Sequence, residues 1–268
     1  MDCLTFTSET RRVPTRIGTL VVHDSGGPGR PLLLWPALFT DHTLYDAVGR
    51  RLGPRWRTLV VEPPGFGDSD PLPAGTGALG AAAGIPDLLD GLGIDRVVVA
   101  GTAWGGQVAA AFAAAHPERV DGLLMMSTPL GVGFGNHFLA LALARLKSNR
   151  TFYADGLARA LLGETTRRTA PQRVLEFTRR FDRFDPQRAA EAAETVIGQL
   201  PAMSGLLSRL ACPTTLLFGD EDPACPAAMR ATWSEQLPGA PVRVVRECGA
   251  LAPLEAPTAV VEALATIG

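Results

Sequence analysis

The segment Val97–Gly106 limits the possible folds of this chain more than any other part of it. Its sequence, VVVAGTAWGG, begins as a compact apolar run, turns between Gly101 and Gly105, and continues directly into an alanine-rich stretch. A near-continuous apolar run is typical of a strand that is covered on both faces of its sheet. Small residues beside a sharp turn let the strand and the next helix approach closely. The segment therefore predicts a buried strand, a tight turn that raises Ala103 at the end of that strand, and a helix.

Similar apolar runs alternate with helical patterns along most of the chain. The predicted strands are Arg16–His23, Leu32–Trp35, Arg57–Glu62, Arg96–Gly101, Val120–Ser127, Thr214–Phe218 and Val242–Val245. Helical periodicity lies between them, in Leu44–Leu52, Leu79–Leu92, Trp104–His116 and Ala256–Ile267. This alternation predicts an α/β protein with a mostly parallel, doubly wound sheet.

The interval from residue 129 to residue 210 breaks this alternation. It shows only helical periodicity, in runs such as HFLALALARL and PQRAAEAAETVIGQL. Connections in α/β units usually have about 2–6 residues, so this interval is too long for a simple crossover. We therefore predict a core made of residues 1–128 and 211–268, with a helical cap of residues 129–210 inserted after the sixth strand. The Leu, Phe and Ala content of the cap predicts an apolar pocket for a small organic substrate.

Charge and composition bear on partners and location. The formal net charge is −2, so no global field favours nucleic acid or an anionic membrane. No apolar run reaches the roughly 18 residues of a membrane-spanning helix, and MDCLTFTSETRRVP has no apolar core like that of a signal peptide. The four cysteines form no C-x-x-C pair and have no histidine at metal-ligand spacing. We expect a cytoplasmic, bacterial protein without a metal or other cofactor.

Two further turns follow predicted strands. Glu62–Asp70 reads EPPGFGDSD, and Leu217–Pro223 reads LFGDEDP. Open α/β sheets bind ligands at the carboxyl ends of their strands. We therefore expect Asp222 and the turn at Ala103 to face one crevice. The turn at Ala103 does not fit a phosphate-binding loop, because no Lys-Ser or Lys-Thr pair follows its last glycine.

The order of these segments resembles the α/β-hydrolase superfamily, in the branch that carries a helical cap. That family commonly reads PGFG-x-S after an early strand, G-x-S-W-G-G at the nucleophile elbow, G-x-x-D-P at the acid and G-H-x-x-x-x-E-x-P at the base. The corresponding segments here are PGFGDS (Pro64–Ser69), GTAWGG (Gly101–Gly106), GDEDP (Gly219–Pro223) and GALAPLEAP (Gly249–Pro257). The resemblance covers essentially the whole chain and implies the α/β-hydrolase fold.

The resemblance also assigns positions to a Ser-His-Asp triad. The nucleophile position is Ala103, the base position is Ala250 and the acid position is Asp222. The oxyanion donors would be the backbone N–H groups of Ala37 and Trp104. The substrate and oxyanion region is expected to include four further residues: Trp35, Phe39, Ser127 and His137.

The two alanines remove the chemistry that the triad needs. A methyl group can neither attack a carbonyl nor accept a proton, so hydrolysis through an acyl-enzyme is excluded unless other residues substitute. His42 follows the oxyanion segment and is the candidate substitute base, with a surface or capping role as the alternative. Three hypotheses follow. The chain is a natural non-hydrolytic enzyme of lyase, cyclase or isomerase type, a ligand-binding pseudoenzyme, or an ordinary hydrolase in which both alanines were introduced deliberately. We favour the first.

Overall fold

The computed structural model describes residues 8–130, 150–180, 183–197 and 203–267. Within these residues the strands are β1 (Glu9–Thr15), β2 (Gly18–Asp24), β3 (Arg30–Trp35), β4 (Trp56–Val61), β5 (Val97–Thr102), β6 (Val120–Met126), β7 (Thr214–Gly219) and β8 (Val242–Val245). They form one sheet in the order β1-β2-β4-β3-β5-β6-β7-β8. β2 pairs antiparallel with β1 and β4, and the other neighbouring strands pair in parallel. The predicted α/β fold with a mostly parallel sheet is confirmed.

Helices flank the sheet and follow most of its strands. In the described residues they are α1 (Asp46–Leu52), α2 (Gly77–Ala83), α3 (Ile85–Gly91), α4 (Trp104–Ala115), α5 (Arg150–Leu161), α6 (Glu164–Thr169), α7 (Pro171–Arg179), α8 (Pro186–Ile197), α9 (Met203–Leu207), α10 (Ala227–Gln236), α11 (Ala252–Glu255) and α12 (Pro257–Leu264). A 3₁₀ turn, His42–Tyr45, precedes α1. No helix of the described part is long and apolar enough to cross a membrane.

The central position of strand β5 in the sheet, between β3 and β6, explains why its sequence is apolar without interruption. Val98 and Ala100 belong to one hydrophobic cluster, whereas Val97 and Val99 belong to the cluster on the other face of the sheet. Successive side chains of a strand point to opposite faces, so both faces of β5 need apolar residues. All six residues of the strand are buried. The elbow that follows therefore stands on the rigid centre of the protein.

Some predicted elements differ from those observed. The predicted helix Leu79–Leu92 is two helices, α2 and α3, because Pro86 in the first turn of α3 lacks the N–H that would continue α2. Strand β1 was not predicted, since it is mostly exposed at the sheet edge and lacks an apolar run. Helix α10 was also missed, because its sequence AAMRATWSEQ has a weak apolar stripe and buries only Trp233.

Helices α5 to α9 come between β6 and β7 in the chain and contact loops at the carboxyl ends of the strands. Arg180 donates to Thr43 Oγ1 at 2.8 Å, in the turn after β3. Arg188 donates to the carbonyl oxygen of Ser69 at 2.8 Å, in the loop after β4. These contacts put the helices beside the edge of the sheet where ligands bind in open α/β folds. The limits of a separate cap, residues 129–210, stay a prediction.

Candidate functional site

The turn between β5 and α4 is a strained elbow with a methyl group at its tip. Ala103 has φ 54° and ψ −120°, a conformation that L-residues other than glycine rarely adopt and that costs about 1–3 kcal/mol. A β-carbon on Gly101 would lie 2.0 Å from the carbonyl oxygen of Gly105, and one on Gly105 would lie 2.4 Å from that of Trp35. These glycines let α4 lie against β5 and β3, and that packing maintains the turn. The geometry of a nucleophile elbow is present without a nucleophile.

Within the part of the chain that the structure describes, the backbone N–H groups expected to form an oxyanion hole donate to no protein acceptor. Among the hydrogen bonds of the described residues, none has the N–H of Trp104 or of Ala37 as its donor. Thr40 fixes the loop that carries Ala37, because its backbone N–H and its hydroxyl both donate to the Ala37 carbonyl oxygen, at 3.3 and 2.7 Å. Preorganised N–H donors of this kind stabilise negative charge on a substrate oxygen.

The side chains of Trp35 and Phe39, both predicted for this region, pack in different places. Trp35 is buried and meets the Trp104 ring edge-to-face, with centroids 6.0 Å apart. Both tryptophans belong to the hydrophobic cluster that contains Val97 and Val99. Phe39, at φ 62°, belongs to the opposite cluster and meets the rings of Phe66 and Tyr153 edge-to-face. Trp35 therefore packs against α4 on the face of the sheet that holds Val97 and Val99, and Phe39 lies between the loop and helix α5.

Asp222 lies just beyond the end of β7 as a buried carboxylate with one unpaired oxygen. It is 3% exposed. Its Oδ1 accepts a hydrogen bond from the N–H of Ala224 at 2.8 Å, whereas Oδ2 has no aligned hydrogen-bond partner among the described residues. Burial raises the pKa of this carboxyl group, and the nearby Ser127 hydroxyl and the N–H groups of Ala224 and Cys225 oppose that rise only in part. The group therefore holds its proton to a higher pH than an ordinary aspartic acid does.

Ser127 directly follows β6 and lies next to Asp222. It is 1% exposed and has a strained φ of 46°. Its hydroxyl is close enough to Asp222 to lower the pKa of the carboxyl group, but it is not aligned in a hydrogen bond with that group or with any other described residue. The N–H of Ser127 donates to the Leu217 carbonyl oxygen at 2.9 Å, and that of Ala103 donates to the Met126 carbonyl oxygen at 2.8 Å. These bonds join the ends of β5, β6 and β7 into one polar edge.

The carboxylate of Glu255, which was not among the predicted site residues, fixes the loop at the base position Ala250. Ala250 is 1% exposed, and its N–H donates to the Leu161 carbonyl oxygen at 2.7 Å. Oε1 of Glu255 accepts from the N–H groups of Gly249 and Leu251, and Oε2 accepts from that of Gly163. Burial raises the pKa of Glu255, and these N–H donors oppose the rise. The only signal in the sequence was the glutamate of GALAPLEAP.

His42, the predicted substitute base, contacts neither Asp222 nor Ala103 in any interaction of the described residues. Its ring stacks on that of His23, with centroids 3.5 Å apart, and its Nδ1 lies 3.0 Å from Glu62 Oε1. Burial alone would raise the pKa of Glu62, but the two imidazoles and the N–H of Asp68 hold it well below its usual range. His137 lies outside the described residues.

Comparison with known proteins gives the family. A family model of the alpha/beta hydrolase fold matches residues 30–257. The chain belongs to the α/β-hydrolase family. This α/β-hydrolase chain is 26% identical over 248 residues to the 2-hydroxy-6-oxononadienedioate/2-hydroxy-6-oxononatrienedioate hydrolase of Paraburkholderia phymatum, covering 86% of the chain and 80% of that protein.

Solved structures agree with this assignment. A thermophilic esterase from Thermogutta terrifontis superposes with a TM-score of 0.86 at 25% identity, covering 97% of each chain. The enol-lactonase from Burkholderia xenovorans LB400 also gives a TM-score of 0.86, at 17% identity, covering 96% of this chain and 99% of its own. At that identity the second likeness shows the fold alone.

Proposed function

We propose that this member of the α/β-hydrolase family is a non-hydrolytic enzyme of isomerase, lyase or cyclase type that moves a proton on a small carbonyl compound. One observation carries the proposal. Asp222 is a buried carboxylate with an unpaired Oδ2, and it lies on the same sheet edge as an elbow whose tip is the methyl group of Ala103. The site thus offers a proton carrier and oxyanion donors, but the tip of the elbow has no side chain that could form an acyl-enzyme.

The methyl groups of Ala103 and Ala250 exclude the usual serine hydrolase route. That route needs a hydroxyl to attack the carbonyl carbon and an imidazole to take the hydroxyl proton. In a serine protease, loss of either group lowers kcat by about 10⁶. The N–H donors of the oxyanion hole do not depend on these side chains, so they remain useful for any reaction in which negative charge develops on oxygen.

The proposed reaction uses Asp222 as the base and then as the acid. Oδ2 takes a proton from the carbon next to a carbonyl group, and the C–H electron pair moves to the carbonyl oxygen as an enolate forms. The N–H groups of Trp104 and Ala37 donate to that oxygen. Asp222 then returns the proton to a different carbon, or the enolate expels a leaving group. Because burial raises its pKa, Asp222 is a stronger base than an exposed aspartate.

The substrate class is supported by the surroundings of the site and by a relative. Aromatic rings of Phe39, Phe66, Tyr153 and Phe184 pack edge-to-face between the core loops and the helices after β6, which we take to be the cap. Such surroundings suit an apolar pocket. The Paraburkholderia phymatum relative is named for a small organic acid with hydroxy and oxo groups. We therefore propose a small carbonyl compound as the substrate.

The experiment uses 2-hydroxy-6-oxononadienedioate as the probe. In D₂O, NMR reports deuterium incorporation or isomerisation, and chromatography reports cleavage products. The wild-type chain is expected to catalyse proton exchange without cleavage. Asp222→Asn should slow the exchange by about 10²-fold or more, because a positioned acid–base group typically contributes about 10²–10⁴. Asp220→Asn, which removes an exposed carboxylate from the same turn, is the matched control. Absence of any exchange above the rate in buffer would refute the proposal for this compound.

A second candidate is an ordinary hydrolase that lost its nucleophile and base through the two alanines. It is favoured by the strained φ of Ala103 and by the three N–H groups that Glu255 fixes around the loop at Ala250. The double variant Ala103→Ser, Ala250→His separates the two. Labelling of the double variant, but not of the wild type, by a fluorophosphonate together with cleavage of the probe would favour the second candidate.

A further inference from the structure

Two histidines and a glutamate from separate elements meet beside β2 and the carboxyl end of β4. His23 belongs to β2, His42 begins the 3₁₀ turn after β3, and Glu62 directly follows β4. His23 Nε2 lies 2.8 Å and His42 Nδ1 lies 3.0 Å from Oε1 of the same carboxylate. One ligand atom from each residue lies within 4.8 Å of the other two. Neither the triad positions nor the proposed function uses any of these groups.

We propose that His23, His42 and Glu62 bind a divalent transition-metal ion of the zinc type. Imidazole nitrogens and a carboxylate oxygen are a donor set that suits zinc, cobalt and nickel ions. In a tetrahedral zinc site the bonds are about 2.0–2.2 Å long, which places neighbouring donor atoms about 3.3 Å apart. The two distances to Oε1 are a few tenths of an ångström shorter, so an ion needs a small increase in these two separations together with a rotation of the His42 ring.

The carboxylate is already oriented for this role. Its other oxygen, Oε2, accepts a hydrogen bond from the N–H of Asp68 at 2.5 Å, which leaves Oε1 facing both histidines. Gly67 allows that arrangement, since a β-carbon there would overlap Oε2. Thr10 Oγ1 lies 3.4 Å from Nδ1 of His23, which directs the Nε2 of that ring toward Glu62. Partners of this kind orient the ligands of known metal sites.

His42 is the most exposed of the three side chains. Its Nδ1 is buried and makes no aligned hydrogen bond, although Glu62 Oε1 is only 3.0 Å away. The rings of His23 and His42 are stacked and nearly parallel, with an angle of 23° between their planes. One ion therefore cannot lie in both ring planes while the rings keep this arrangement. The His42 side chain is 30% exposed, against 12% for His23. Rotation of His42 would direct its nitrogen to the ion and leave a fourth position open to solvent.

The ion would connect the 3₁₀ turn that begins at His42 to β2 and to the end of β4, two strands that already pair in the sheet. The segment Ala37–Asp41, which carries an oxyanion donor, is followed directly by His42. An ion shared with β2 and with the end of β4 would fix the far end of that segment. Such an ion binds the folded chain and not the unfolded one, so it stabilises the protein as its concentration rises.

Calorimetric titration of the chelator-treated full chain with Zn²⁺ tests the proposal, and the visible spectrum with Co²⁺ reports the geometry. We expect one ion per chain and a Co²⁺ spectrum with the intense absorption of a tetrahedral site. His42→Ala should weaken zinc binding by about tenfold or more, since even the residues that merely orient metal ligands contribute about 10–100-fold. His116→Ala is the matched control, because His116 is a more exposed histidine that lies 3.4 Å from one glutamate, Glu118.

Circular dichroism of each variant shows whether the fold is retained. His42 is the chosen ligand because its partial exposure makes its replacement the least disruptive of the three. Binding that is equal in the wild type and His116→Ala, and weaker in folded His42→Ala, supports the site. No saturable binding to the wild type, or equal binding to the wild type and His42→Ala, overturns the proposed metal site. The three residues then only connect their elements through polar contacts. Binding lost only in Cys212→Ser would overturn it as well, because it would place the zinc on that partly exposed thiol.

Discussion

Replacing Asp222 with asparagine is expected to stabilise the protein while it slows proton transfer by about 10²-fold or more. The carboxylate is 3% exposed, and its Oδ2 has no hydrogen-bond partner. A buried polar group without a partner costs about 1–3 kcal/mol, and more if it is charged. Asparagine keeps the acceptor that receives the N–H of Ala224, removes the charge and presents an NH₂ group that can donate to the Ser127 hydroxyl. We expect a gain of about 1–2 kcal/mol at pH 8, since part of the unpaired-oxygen cost is recovered.

The pH dependence of this gain follows from the direction of the pKa shift. Burial raises the pKa of Asp222 in the folded chain above its value in the unfolded chain. The folded state therefore binds more protons than the unfolded state between these two values, and stability falls as the pH rises through them. The advantage of Asp222→Asn should be largest above the folded-state pKa, and it should shrink as the pH is lowered through that pKa toward the unfolded value.

Urea and thermal denaturation of the wild type, Asp222→Asn and Asp220→Asn at a series of pH values from 8 down to 4 measure the effect. For a chain of this size, 1 kcal/mol corresponds to about 3 °C in Tm, so the gain at pH 8 should appear as about 3–6 °C. Asp220→Asn removes an exposed carboxylate and should change stability by less than about 0.5 kcal/mol. A loss of stability in Asp222→Asn at pH 8, or a gain that does not shrink as the pH is lowered toward 4, would refute the reasoning.

Three further predictions concern packing and the helices after β6. Gly101→Ala should destabilise the chain by about 3 kcal/mol in urea denaturation, since its β-carbon would lie 2.0 Å from a backbone oxygen. Gly156→Ala, in the interior of α5 with no atom within 4 Å of the new carbon, should instead stabilise it by about 0.5–1 kcal/mol. Arg180→Met should lower the free energy of unfolding by about 3 kcal/mol in the same assay, because that guanidinium is buried beside Asp41. Arg183→Met should lower it by less than about 1 kcal/mol, because Arg183 pairs with the same carboxylate but is exposed. Equal costs for the two arginine variants would contradict the burial argument.

The parts of the fold that follow from local patterns were predictable from the sequence. Strand β5 is encoded by an apolar run, and the turn at Ala103 is encoded by Gly101 and Gly105, which follow that run directly in the chain. Strand β1 and helix α10 were not predictable in the same way, because the exposed edge and the short buried stripe leave little periodicity. The position of Asp222 followed from its place after a strand.

The environment of the site was less predictable than its positions. That Asp222 Oδ2 is unpaired and that Ser127 lies beside it depend on how β6 and β7 pair, which no local pattern reports. His42 could be placed near the oxyanion segment, but its partners His23 and Glu62 come from strands that only the sheet order brings together. No spacing motif joins these three residues, so the sequence predicted no metal site there.

The elbow also bears on how this family changes its chemistry. The strained backbone at position 103 is maintained by the close approach of Gly101 and Gly105 to neighbouring backbone, and not by the side chain at the tip. A lineage can therefore lose or regain a nucleophile by a single substitution without rebuilding the scaffold. For protein engineering, position 103 is an attachment point above the amino terminus of α4, where the helix dipole would favour a cysteine as its thiolate.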